Sequence, residues 1–191
     1  MKNSVYTRMY DALCDYFRKI KSPDYFLLYT KYYNPKYVER VLHGEYIFER
    51  ENELDFSFFK QNYGYEMPDI LKAYYSFCHP CVIGSHYLNP HITEVITLDS
   101  SINPNCFKSL TDSAEYWKKY NILDIQKYIP IGGVSYNGSD VVLERDTGRI
   151  FVEYPFAEDP TDDKDGELFP TPLAEDLTSF IRELKPYKNE I

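Results

Sequence analysis

Between Tyr128 and Pro155 the chain reads as three short β-rich runs, 128–134, 140–144 and 149–154, and no other stretch narrows its fold as far. The runs are separated by Asn137-Gly138 and Asp146-Thr147-Gly148, whose residues tolerate the positive φ of tight hairpin turns. Such loops join antiparallel neighbours, whereas parallel strands need a crossover of a dozen residues or more. The stretch therefore predicts consecutive antiparallel strands.

Helical patterns surround this sheet. Val5, Met9, Ala12, Leu13, Tyr16, Phe17 and Ile20 lie on one face of a 3.6-residue period, with Asn3 or Ser4 placed to cap it. Ser22-Pro23 stops that helix and starts a second through DYFLLYTKYY. Asn34-Pro35 starts a third, which ends near Gly44, and Tyr46-Ile47-Phe48 is strand-like. An aromatic helix over 53–61 ends near Gly64, and Met67-Pro68 opens another that carries Cys78 on its apolar face. EVITLD at 94–99 reads as a strand, 112–120 as a helix, and 172–185 as a closing helix beginning at Thr171-Pro172. Helices, then short strands, then one helix is an α+β order rather than alternating βαβ. The expectation is an antiparallel sheet packed with helices: a helical N-terminal extension over 1–50 and an α+β domain over 51–191.

Three ordered features resemble the SUKH superfamily of Smi/Knr-like proteins. Gly64-Tyr65-Glu66-Met67-Pro68, followed by DILKAYYSF, is similar to the family's opening. Tyr128-Ile129-Pro130-Ile131-Gly132, then Asp140-Val141-Val142-Leu143-Glu144 and Asp146-Thr147-Gly148-Arg149-Ile150, is like its "IPIG, strand, D-x-G, strand" core. The closing LAEDLTSFIRELK is similar to its terminal helix. The resemblance covers roughly 54–185; Cys78-His79-Pro80-Cys81 stands where the family has an Asn-Gly-Gly-like turn, and the extension has no counterpart. It implies a compact α+β domain without catalytic residues. For a bacterial member it implies an immunity protein that binds and neutralises a toxin domain inside the cell.

Charge sharpens the expected partner. The net charge is −9, and residues 157–191 hold 4 Lys/Arg against 10 Asp/Glu, a balance of −6. Such a surface repels phosphate backbones, which disfavours nucleic acid, and attracts a basic protein. Asp159, Asp162, Asp163, Asp165 and Glu167 are the candidate partner-binding residues. No run approaches the ~20 apolar residues of a membrane span, and the N-terminus lacks a secretory pattern, so the expected location is the cytoplasm with the four cysteines reduced.

Other chemistries are weaker in the sequence. Cys78, Cys81, His86 and His91 have zinc-knuckle spacing, the basis of an alternative reading as a regulatory adaptor, but Val82 stands where a knuckle has glycine. The expectation is no metal and no cofactor. Cys78 and Cys81 sit at a helix C-terminus, the wrong end of the dipole for an activated thiol. Asp162, Asp163, Asp165 and Gly166 cannot be a calcium loop of EF-hand type, because Thr161 and Pro172 fall where carboxylates are required. GxSxG, HExxH and phosphate-binding glycine motifs are absent, so no catalytic residue is assigned.

Overall fold

Ser4 begins the first helix: its hydroxyl accepts from the Thr7 N–H, and α1 runs Val5–Phe17 with Met9, Ala12, Leu13, Tyr16 and Phe17 buried. The computed structural model describes residues 4–20, 35–49, 54–78, 82–89, 92–98, 106–120, 123–134, 139–153, 168 and 170–186. The expected second helix through DYFLLYTKYY and the Asn137-Gly138 turn lie outside these residues. α2 is Pro35–Leu42, with proline at a position that needs no donor, and Gly44 follows at φ +85°. α3 is Ser57–Tyr63 and α4 is Asp69–Ser76. α3 starts four residues later than expected because Asp55 accepts from both the N–H and the hydroxyl of Ser57.

β1 (Phe48–Glu49) and β2 (Phe77–Cys78) form a small antiparallel pair. This corrects the helical placement of Cys78. Phe77 turns extended, with φ −98° and ψ 134°, because its backbone is claimed by Glu49 rather than by another helical turn.

The main sheet has six strands, all antiparallel, curled into half of a barrel. These are β3 (Val82–Asn89), β4 (Ile92–Leu98), β5 (Tyr128–Val134), β6 (Asp140–Glu144), β7 (Ile150–Val152) and β8 (Lys185–Pro186), in the order β7-β6-β5-β4-β3-β8. The expected run over 128–154 is thus present as β5, β6 and β7. The Asp146-Thr147-Gly148 turn closes as anticipated: Gly148 has φ +80°, its N–H donates to Glu144 O, and the Glu144 N–H donates to Arg149 O. Pro130 faces Val142 while Gly132 faces Val141, so Ile131 is an extra residue that bends β5. The bend drives Gly132 against β4, where a Cβ would lie 2.2 Å from Thr97 O.

Every residue from Val141 to Glu144 and from Ile150 to Val152 is buried, so both faces of these strands are covered. α5 (Cys106–Tyr120) packs on β5 and α3; α1 packs on α4 and on α6 (Leu177–Glu183). Met9, Leu13 and Tyr16 of α1 share one buried cluster with Ile129, Val142, Phe180 and Ile181.

The closing helix is shorter than its sequence pattern. Leu173 N–H donates to Ile150 O, and Ile150 N–H donates to Ala174 O, which draws 173–174 onto the edge of β7. Asp176 then caps α6 by accepting from Ser179 N–H at 2.8 Å and from the Thr178 hydroxyl. Burial pushes the Asp176 carboxyl up, but these hydrogen bonds outweigh it and hold it below the usual range.

The one deeply buried carboxylate in the β6–β7 turn, Glu144, accepts from Thr147 and Arg149 and lies 3.7 Å from Lys127. The Thr147 hydrogen bond, then Arg149 and Lys127, hold it below its ordinary value against the opposing effect of burial. A depressed carboxyl contributes stability above its unfolded-state titration and loses it as pH falls through the folded value. Glu144→Gln should therefore unfold more easily than the parent at pH 7, with the gap closing toward acid, where urea midpoints across a pH series read the difference. Gly132→Ala should destabilise by roughly 1–3 kcal/mol, since β4 backbone cannot yield to the added methyl. An unchanged thermal midpoint in that variant would mean that β4 and β5 are not packed at this register.

Candidate protein-binding surface

α5 divides its residues cleanly. Leu110, Ala114 and Trp117 are buried at i, i+4 and i+7, whereas Asp112, Glu115, Tyr116, Lys118, Lys119 and Tyr120 face solvent. The helix is tied to α3 by the Tyr63 hydroxyl, which donates to Leu110 O at 2.9 Å, and by Lys118, whose ammonium donates to Asn62 O. On the outer face Tyr116 and Tyr120 are 49% and 55% exposed. Their ring centroids are 4.7 Å apart, tilted by 50°, as i, i+4 spacing permits. Lys119 Nζ stands 4.9 Å from the Tyr120 ring centre, over its negative face.

The inner face of the same turn reaches the start of β6. Trp117 is 2% exposed, and its indole N–H donates to Asp140 Oδ2 at 3.0 Å. Asp140 in turn exchanges backbone and side-chain bonds with Glu153: its N–H donates to Glu153 Oε2 at 3.3 Å, and the Glu153 N–H donates to Asp140 O at 2.9 Å. Glu153 also forms an isolated antiparallel bridge with Leu168. Glu153 and Leu168, the described residues on either side of 154–167, are thus paired with each other, and Glu153 is linked through Asp140 to the buried side of the helical turn that displays Tyr116 and Tyr120.

Asp159, Asp162, Asp163, Asp165 and Glu167 belong to that segment and lie outside the described residues. The tertiary structure brings the two ends of their segment together at Glu153 and Leu168. The tyrosine pair is a feature that reading for charge misses. Its signal is present all the same: in DSAEYWKKY, Tyr116 and Tyr120 fall on the polar side of the helix while Ala114 and Trp117 fall on the apolar side.

The Cys/His spacing meets a different environment. Cys81 and His91 lie outside the described residues, and the side chain of Cys78 is likewise not described. His86 sits in β3 with its Nε2 3.7 Å from Glu183 Oε2 and its ring 5.3 Å from that of Phe180, facing α6. Among the described residues no three His, Cys, Asp or Glu side chains gather as a metal site, and no helix is long and apolar enough to cross a membrane. Tyr6 and Tyr10 of α1 are also exposed, with the Tyr10 ring centre 5.4 Å from that of Phe77.

No protein-family model, curated protein or solved structure matches the chain.

Trp117→Phe removes the indole donor and with it the hydrogen bond to Asp140 Oδ2. It should cost roughly 1.5–3 kcal/mol, the range for hydrogen bonds to charged groups, whereas Asp140→Asn keeps an acceptor and should cost less. Urea unfolding followed by far-UV circular dichroism measures both, and equal costs would remove the link its assigned role.

Proposed function

We propose that this chain is a non-catalytic protein-binding module of the SUKH immunity type, which neutralises a toxin domain by stoichiometric occlusion. The observation that carries the reading is the exposed Tyr116–Tyr120 pair, on the outer face of the helical turn whose Trp117 bonds to Asp140, itself bonded to Glu153. Tyrosine suits contact surfaces because a large rigid ring ends in a hydrogen-bonding hydroxyl and loses little rotamer entropy on binding. Four of the five large hydrophobic side chains exposed among the described residues are tyrosines.

The acidic segment supplies the second half of the reading. The −6 balance of residues 157–191 favours approach of a basic surface, and a toxin acting on a polyanionic substrate presents one at its active site. The ordered motifs resembling the SUKH superfamily point the same way, and a cytoplasmic location follows from the same reading. Asp159, Asp162, Asp163, Asp165 and Glu167 steer the encounter, and salt screens that steering over a Debye length of about 8 Å at physiological ionic strength.

Co-expression with candidate toxin domains, followed by affinity capture, identifies the partner. With the partner in hand, the triple variant Asp162→Asn, Asp163→Asn, Asp165→Asn should associate more slowly at low salt with little change in dissociation, and its unfolding midpoint should move by no more than about 0.5 kcal/mol equivalent. Association at the parental rate in low salt would remove the acidic segment from the contact.

A further inference from the structure

We draw no further inference here: the strongest candidate, the His86–Glu183 contact that joins β3 to α6 beside the short edge strand β8, carries nothing, because its carboxylate is mostly exposed, the side chain of Glu94, its register neighbour on β4, is outside those described, and nothing in the structure shows what the pair would hold.

Discussion

A curled antiparallel sheet has two edges, each a row of unpaired backbone groups, and this fold covers both with one segment. Leu168 and Ala174 bridge to Glu153 and Ile150 on the β7 side; eleven residues after Ala174, Lys185 and then Pro186 pair with Ser85 and Gly84 on the β3 side. α6 lies between, with Leu177, Phe180, Ile181 and Leu184 buried. A single stretch of chain therefore protects the edges from pairing with other molecules and fills the core of the half-barrel. Its short strand β8 makes only two register pairs, so its hold depends on what lies above it.

What lies above it is α1. Lys19 Nζ donates to Arg182 O at 2.5 Å and Leu184 O at 3.2 Å, satisfying carbonyls that the end of α6 leaves open, and Asp15 accepts from Arg182 at 3.2 Å. Burial pulls the Lys19 ammonium below its ordinary value, and Asp15 opposes that effect. The apolar face of α1 joins the same cluster as the sheet. Each such residue contributes roughly 1.5–3 kcal/mol by leaving water, far more than the exposed Asp15–Arg18 pair at 3.0 Å. The first helix is thus a structural partner of the last.

The same economy sets the surface. Because β6 begins under α5, the indole of Trp117 can reach Asp140, and because β7 ends beside it, Glu153 bonds to the same residue. The helical turn that exposes Tyr116 and Tyr120 and the end of β7 at Glu153, 33 residues apart counted from Tyr120, are thus joined through one hydrogen-bonded corner.

Local chemistry was legible where one residue and its near neighbours decide conformation. The period of α1, the Ser4 cap, the positive φ of Gly44, Gly64 and Gly148, and the antiparallel order of β5, β6 and β7 all follow from side-chain period and turn stereochemistry. Tertiary structure decided the segment ends and the long-range contacts. Residues 172–176 carry a helical pattern but are drawn onto β7, Cys78 leaves a helix to pair with Phe48, and Val82–Asn89 becomes a strand because Ile92–Leu98 lies beside it. At such places the difference between local conformations is under about 1 kcal/mol per residue, so backbone hydrogen bonds to a distant strand override it. The acidic charges could be counted from the sequence, whereas the link from the turn bearing Tyr116 and Tyr120 to Glu153 could not, because Trp117 and Asp140 meet only once α5 has packed on the sheet.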